Sequence, residues 1–244
     1  MQIQYAVRSA IGSRRGNNED CYRVDMGSDR MLFAVADGMG GHPCGEVASM
    51  IACEALAGFL DKLSENPRMG LQTVLKEIFF DIDEQIKRNM RKNPGCLHMG
   101  TTLSVMVLGG DQAVVAHVGD TRIYCLRDEK LQLLTTDHTF VQEMVEKGAL
   151  TAEMGATVPH RNVLTHVVGT DEPLEVVFSR TLDIIPGDRF LLSSDGLHDS
   201  VSFHDIEQMM QTEADCEETA ERLLASAIAH GGHDDITCII VHTT

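Results

Sequence analysis

The chain has 244 residues and a mass of 26.8 kDa, enough for one large domain or two small ones, and size scaling allows roughly 70% of its surface to be buried on folding. Its 37 acidic and 20 basic residues give a formal net charge of −17 without any dense Lys/Arg run, which excludes the basic patch typical of nucleic-acid-binding proteins. A field of this sign disfavours anionic substrates, so an enzyme that acts on phosphate groups must offset it locally with metal ions or a well-placed Arg.

The first twenty residues lack the sustained apolar segment and cleavage site of a signal peptide, and no run approaches the roughly 18 apolar residues of a membrane span. Seven cysteines without a Cys-x-x-Cys pair argue against a complete disulfide framework and favour a reducing compartment. No linker, repeat or low-complexity segment divides the chain. We therefore expect a cytoplasmic protein without a membrane span, folded as one domain over residues 1–244.

Short apolar or β-branched runs bounded by Gly, Asp or Pro predict the strands. In chain order these are Met31–Ala36, Leu103–Leu108, Ala113–Val118, Arg122–Leu126, Leu174–Phe178, Arg189–Ser193 and Ile236–Val241. Only short turns separate the strands between Leu103 and Leu134. This spacing favours antiparallel hairpins, because parallel strands need crossovers of about a dozen residues or more.

Apolar stripes at helical spacing predict helices over about 45–63 and about 69–91, and a further helix that ends at Gly231–Gly232. Ser202 is the candidate N-cap of a shorter helix over 203–211. A loop-rich insert is expected near 138–165. Helices segregated from antiparallel strands predict an α+β fold whose helices cover the outer faces of one or two sheets.

Seven carboxylates stand where apolar strands end or begin. They are Asp37, Asp120 and Asp195 after apolar runs, Asp234 and Asp235 at the head of the last strand, and Glu19 and Asp20 near the N-terminus. Each one alone fits ordinary turn chemistry, because Asp bonds its own backbone and a neighbouring Gly accepts positive φ. As a set they predict a site for Mg²⁺ or Mn²⁺, since packed carboxylates repel one another unless a hard cation neutralises them. Two such ions about 3.5–4 Å apart suit phosphoryl transfer.

Zinc and a nucleotide phosphate loop are poorer interpretations. The spacing of His230 and His233 matches no common zinc element, and no Cys partners lie nearby. Gly38, Gly40 and Gly41 complete neither of the two glycine-rich phosphate-binding motifs, and no Lys follows them.

Eight short motifs then occur in a fixed order along the chain. They are RGNNED (15–20), ADGMGGH (36–42), GEVAS (45–49), MGTT (99–102), HVGDTRIY (117–124), RNVLTHVVG (161–169), LLSSDGLHD (191–199) and GGHDDIT (231–237). This order resembles the metal-dependent serine/threonine phosphatases, the type 2C protein phosphatases, in their compact bacterial form. The resemblance runs from about residue 8 to 241. It implies a four-layer α/β/β/α sandwich of two antiparallel sheets flanked by helices, with a two-metal centre at one edge.

The resemblance also implies a role for each matched residue. Asp37 would bridge both ions, the Gly38 carbonyl would ligate one, Asp195 and Asp234 would hold the other, Asp20 and Glu19 would act mainly through metal-bound water, Asp120 would join Asp195 at a third, weaker ion, and Arg15 would bind the phosphate. Arg15, Asp37, Asp195 and Asp234 form the implied catalytic set. Residues 138–162 resemble the mobile flap beside the site, with an ordinary surface loop as the alternative.

The implied activity is hydrolysis of phosphoserine and phosphothreonine by direct attack of a metal-bridging hydroxide, with Mn²⁺ or Mg²⁺ as cofactor. We expect phosphoproteins as substrates, a bacterial Ser/Thr kinase and its targets as partners, and a monomer. Met39 stands where many members have His, so that general acid does not carry over. His42 or a metal-bound water is the candidate proton donor. Asp235 replaces the usual Asn, and His198 a common aromatic residue.

Two alternatives stay open. A catalytically silent relative would bind phosphoproteins without hydrolysis, although such a protein would be expected to lose metal carboxylates that this chain keeps. A hydrolase of small phosphorylated metabolites is the second, and the flap and shallow site of the family argue against it.

Overall fold

Ten strands and eight α-helices are formed by the described residues of this computed structural model, which are 2–39, 44–65, 70–155, 157–158, 161–170 and 173–244. The strands are β1 (Ile3–Ala10), β2 (Asp20–Met26), β3 (Arg30–Asp37), β4 (Leu103–Gly109), β5 (Gln112–Val118), β6 (Arg122–Arg127), β7 (Lys130–Leu133), β8 (Val177–Asp183), β9 (Arg189–Ser193) and β10 (Ile236–Thr243). The helices are α1 (Gly45–Ala55), α2 (Phe59–Glu65), α3 (Leu71–Lys92), α4 (Phe140–Glu146), α5 (Ala152–Gly155), α6 (Asp195–His198), α7 (Phe203–Gln211) and α8 (Cys216–Ala229), with a 3₁₀ turn at Pro94–Cys96.

The strands form two five-stranded sheets in which every neighbouring pair is antiparallel. One sheet has the order β1-β10-β9-β6-β7, and the other has the order β2-β3-β4-β5-β8. The antiparallel hairpin predicted at the turn 109–111 is confirmed for β4 with β5. The hairpin expected at 119–120 is wrong, because β6 lies in the other sheet, where it pairs with β7 and β9. Between β5 and β6 the chain passes from one sheet to the other at residues 119–121, which brings Asp120 to the edge of the sandwich.

Three apolar clusters hold four layers together. Side chains of β3, β4 and β5 pack against α1, α2 and α3, and side chains of β1, β9 and β10 pack against α6, α7 and α8. The third cluster lies between the sheets and includes the fully buried Phe33 and Phe190. Truncation of either ring to Ala would cost about 3–5 kcal/mol. The predicted α+β class and the implied α/β/β/α sandwich are confirmed.

Several element boundaries differ from the sequence predictions. The helix expected over about 45–63 is two helices, because Gly58 adopts a positive φ of 70° that ends the first and starts the second. The strand expected at Leu174–Phe178 begins later, at Val177, and runs to Asp183. β1, β2 and β7 were not predicted. The cap of α7 was, since the Ser202 hydroxyl accepts the Asp205 N–H at 3.2 Å.

A disulfide joins Cys44 to Cys96 across 52 residues of sequence. It ties the start of α1 to the 3₁₀ turn after α3. This bridge is at odds with the reducing compartment that the cysteine count favoured. The count could not indicate it, because its partners are brought together only by the packing of α3 against α1. The other five cysteines are free thiols. No helix in the described ranges is long and apolar enough to cross a membrane.

Candidate metal centre

The carboxylates predicted from strand ends converge at one edge of the sandwich. A cavity of about 540 Å³ opens there, lined in part by Asp37, Asp120, Asp195 and Asp234. They come from the end of β3, the turn after β5, the start of α6 and the segment before β10. The two sheets thus contribute ligand-type side chains to one site.

Asp20 joins this cluster through strand register. It is the direct cross-strand partner of Asp37 in the antiparallel ladder of β2 and β3. Like charges placed opposite one another destabilise a sheet, so this pair opposes folding unless a cation or a proton neutralises it. The Ser194 hydroxyl donates to Asp20 Oδ2 at 2.6 Å and accepts the Thr237 N–H at 2.9 Å, which links Asp20 to the other sheet. Sequence reasoning missed Ser194, although it lies in the SSDG motif directly before Asp195.

The backbone of Asp37 is held by the threonines of the MGTT motif. The Thr102 hydroxyl accepts the Asp37 N–H at 3.0 Å, and the Thr101 hydroxyl and the Thr102 N–H both donate to the Asp37 carbonyl at 2.9 and 2.8 Å. Next to it, a Cβ atom on Gly38 would collide with the carbonyl oxygen of Gly45. The Asp37–Gly38 dipeptide is therefore fixed by direct backbone contacts before any ion binds.

The carboxylates are poorly neutralised by protein groups. Burial, with repulsion from neighbouring carboxylates, raises the pKa of Asp20 and of Asp120 to about 7. The same causes, burial first, raise the pKa of Asp37 and of Asp195 well above the ordinary range. Buried oxygens of Asp20 and Asp195, Oδ1 in each case, accept no hydrogen bond from the described groups. Unpartnered buried carboxylate oxygens fit a hard divalent cation such as Mn²⁺ or Mg²⁺.

Arg15 lines the cavity and pairs with two of the acidic residues beside it. Its Nε and Nη2 each donate to Asp234 at 2.7 Å, and its Nη1 donates to Glu19 at 2.9 Å. The hydrogen bonds to Asp234 raise the pKa of Arg15, while burial raises the pKa of Glu19 above its ordinary value. The guanidinium therefore faces the cavity, where its planar fork matches a phosphate as well as a carboxylate.

Asp235 anchors the segment that carries Arg15. Its side chain is almost fully buried and accepts the Gly12 and Glu19 N–H groups, each at 2.8 Å. The extra carboxylate seen in the sequence thus closes the loop between β1 and β2, a role that the motif alone did not indicate.

The described protein atoms do not account for every residue expected at the metal centre or for the full coordination of an ion. His42, Gly40 and Gly41 lie outside the described residues. Within the described part of the chain, no three His, Cys, Asp or Glu side chains are grouped tightly enough to enclose an ion by themselves. Backbone carbonyls such as that of Gly38 and water molecules would have to complete the coordination, as is usual for Mg²⁺.

The insert that follows β7 lies beside the cavity and is tied to α6. Asn162 Nδ2 donates to Asp199 at 2.6 Å, and Arg161 pairs with the same carboxylate at 2.8 Å. At its start, the Thr139 hydroxyl caps α4 by accepting the Gln142 N–H. Residues 156, 159 and 160 of the insert lie outside the described residues.

Known proteins share sequence with this chain over nearly the whole region that carries these site residues. A family model for protein phosphatase 2C matches residues 12–231 of the chain. The chain belongs to the protein phosphatase 2C family. It is similar to serine/threonine protein phosphatase PstP of Mycobacterium tuberculosis, with 36% identity over 98% of this chain and 44% of PstP. It is also similar to protein phosphatase PhpP of Streptococcus pneumoniae, with 30% identity over 98% of this chain and 97% of PhpP. The chain therefore spans less than half the length of PstP and nearly all of PhpP.

Solved structures of protein phosphatase 2C relatives agree with the fold. A crystal structure of the Mycobacterium tuberculosis phosphatase PstP superposes with a TM-score of 0.89 at 36% identity, covering 99% of this chain and 98% of that one. A structure of the PstP catalytic domain in complex with two manganese ions gives a TM-score of 0.85 at 34% identity, with the same coverage. The family resemblance seen in the eight motifs is confirmed.

Proposed function

We propose that this chain is a metal-dependent protein serine/threonine phosphatase that hydrolyses phosphoserine and phosphothreonine in other proteins. The observation that carries the proposal is a cluster of poorly neutralised carboxylates: Asp37, Asp120 and Asp195 line one cavity, and Asp20 lies opposite Asp37. Asp120 is buried, and the other three are half-buried. Membership of the protein phosphatase 2C family and the names of PstP and PhpP support it.

We assign the metal ligands as follows. Asp37, the Gly38 carbonyl, Asp195 and Asp234 would hold two ions. Asp20 and Glu19 would act mainly through metal-bound water, and Asp120 with Asp195 would hold a third, weaker ion. Mn²⁺ is the ion bound by the PstP catalytic domain, and Mg²⁺ has the same oxygen-ligand chemistry. When bound, the ions neutralise the carboxylates, polarise the phosphoryl group and lower the pKa of water for direct attack on phosphorus.

Side chains of the protein bind the phosphate and keep the metal-ligating Asp37 in place. Arg15 binds two phosphoryl oxygens through its planar guanidinium group. To do so it must release its hydrogen bonds to Asp234. Thr101 and Thr102 keep Asp37 in place while charge develops on the phosphoryl group. Met39 cannot donate a proton to the leaving alkoxide, so that proton comes from His42 or from water.

Residues 138–162 act as a flap over this site in the proposal, and their attachment to Asp199 beside Asp195 supports that position. The protein substrates include a bacterial Ser/Thr kinase and its targets. Action in the cytoplasm and a monomeric state complete the proposal.

Hydrolysis of a phosphothreonine peptide tests this function. We expect activity with Mn²⁺, loss of activity with EDTA, and loss in Asp37→Ala, which also removes the rise in melting temperature that Mn²⁺ causes in the wild type. Asp111→Ala is the matched control. Asp111 is exposed in the turn between β4 and β5, at the ends of these strands that lie away from the metal centre. Activity that survives both EDTA and Asp37→Ala would overturn the proposal. Peptide binding without hydrolysis would favour a silent relative, and faster hydrolysis of sugar phosphates would favour a metabolite phosphatase.

A further inference from the structure

A second cavity lies directly beside the metal centre. It has a volume of about 450 Å³ and is bounded by residues 87–91 of α3, by Leu97 and His98, and by residues 164–170. We call it the side groove. Met39 and Leu164 line both this groove and the metal-centre cavity, so the two spaces adjoin. A chain bound over the metal centre can therefore extend into the side groove.

The walls of the side groove are fixed by buried contacts. Asp83 is buried on α3, accepts the Gly169 N–H at 2.8 Å and pairs with Lys87 Nζ at 2.7 Å, which joins two walls. The third wall follows Cys96, whose disulfide with Cys44 anchors the turn that carries Leu97 and His98. These contacts make the groove a preformed surface, which lowers the entropic cost of binding a flexible chain.

The groove combines an apolar floor with a cationic rim. Met39, Met90, Leu97 and Leu164 contribute apolar surface, and the Leu97 side chain is 52% exposed. An exposed side chain of this size has hydrophobic area still to be buried by a partner.

Arg91 supplies the positive charge of the rim. Its side chain is 63% exposed and lies 3.8 Å from the exposed Glu84, a weak pair with which a partner's carboxylate can compete. Lys87, in contrast, is already neutralised by Asp83. The described lining residues include no Asp or Glu, although the whole chain carries a net charge of −17. Arg91 is thus a lining cation that an anionic group of a partner can reach.

We propose that the side groove binds the segment of the phosphoprotein substrate next to its phosphorylated residue. An apolar side chain of that segment packs on Met39, Met90 and Leu97, and a nearby Asp or Glu pairs with Arg91. This inference rests on the proposed phosphatase function, because the residues shared with the metal-centre cavity, Met39 and Leu164, point to substrate polypeptide as the occupant. It assigns substrate selection to α3 and the 3₁₀ turn, outside the metal ligands.

Steady-state kinetics with Mn²⁺ tests the inference. The substrates are phosphothreonine peptides that carry a Leu and a Glu at varied positions two to five residues from the phosphothreonine, the same peptides with Ala at both positions, and p-nitrophenyl phosphate, which is too small to reach the groove. We expect the best Leu/Glu peptide to exceed its Ala version in kcat/KM by about tenfold, or about 1.4 kcal/mol. Arg91→Glu should remove most of the preference that depends on Glu, and Leu97→Ser most of that which depends on Leu, in both cases mainly through KM.

Arg88→Glu is the matched control. Arg88 lies on the same helix with its side chain 55% exposed, but it does not line the groove, and its reversal changes the net charge by the same amount. Equal losses in Arg88→Glu and Arg91→Glu, equal kcat/KM for the Leu/Glu and Ala peptides, or a parallel loss on p-nitrophenyl phosphate would each overturn the inference. Wild-type enzyme that cleaves p-nitrophenyl phosphate but no phosphopeptide would instead refute the proposed protein phosphatase function, and the inference with it.

Discussion

Asp120→Asn is expected to stabilise the metal-free protein, although it removes a residue of the proposed metal centre. Burial, followed by repulsion from Asp137, raises the pKa of Asp120 from an ordinary 3.8 to about 7. An acid whose pKa is raised by folding contributes its full stability only below the pKa that it has in the unfolded chain. This contribution is lost progressively as the pH rises from that value through the folded pKa. Above pH 7 the wild type therefore carries a penalty of about 4 kcal/mol, because one pKa unit corresponds to about 1.4 kcal/mol. Asn has the same shape and no charge, so it avoids the penalty.

Urea unfolding in EDTA measures this effect. We expect Asp120→Asn to raise the free energy of unfolding by up to about 4 kcal/mol at pH 8 and by about 2 kcal/mol at pH 5. Saturating Mn²⁺ should shrink the gain, because the ions neutralise the same carboxylates in the wild type. A gain that does not depend on pH, or no gain at all, would refute the electrostatic reasoning.

Asp188→Asn is the matched control for that experiment. Asp188 is also buried, but it accepts two hydrogen bonds from Arg127, at 2.7 and 2.6 Å, and one from the Ile185 N–H at 2.9 Å. Removing a charge that is paired in this way should lower the free energy of unfolding by about 1.5–3 kcal/mol at both pH values. The two substitutions therefore have opposite signs at pH 8.

Three further outcomes are expected. Arg15→Ala should lower kcat/KM for phosphopeptides by about a hundredfold, as loss of an oriented donor to the phosphoryl group typically does, and Arg15→Lys should recover only part of it in the same steady-state assay. Asp235→Ala should lower the free energy of unfolding by about 2–3 kcal/mol, because it leaves the Gly12 and Glu19 N–H groups without their acceptor, and urea unfolding measures this. Cys96→Ser should lower the free energy of unfolding by up to about 4 kcal/mol, given the 52-residue separation of the bridged cysteines, and a reductant should lower the melting temperature of the wild type but leave that of Cys96→Ser unchanged.

Burial decides which strands could be predicted from the sequence. β3, β4, β5 and β9 are apolar along almost their whole length because both faces are covered, so their runs stand out. β1 and β2 are edge strands of half-buried, mixed residues, and β7 has only four residues, so neither hydrophobic run length nor alternation marks them. The break at Gly58 was missed because the apolar stripe continues from Leu56 to Phe59 across it.

The candidate site was predictable in its members and not in its connections. Asp37, Asp120 and Asp195 each follow a buried strand, and an antiparallel sandwich brings such ends to one edge. The opposition of Asp20 and Asp37, however, depends on the register of two strands, one of which the sequence did not reveal. The contact of Ser194 with Asp20 spans 174 residues and requires both sheets to be in place. A motif of a few residues cannot predict a contact between residues so far apart in the sequence.

The contact between Gly38 and Gly45 lies between the residues that hold Asp37 and a residue that can touch the substrate. A Cβ atom on Gly38 would fall on the Gly45 backbone, so these two glycines are held in direct contact. Met39, next to this contact, lines both the metal-centre cavity and the side groove. A substitution of Met39 can therefore alter substrate contacts without displacing Asp37, whose position is set by Thr101 and Thr102. In the proposed phosphatase, substrate contacts at Met39 can therefore change while the position of Asp37 is kept.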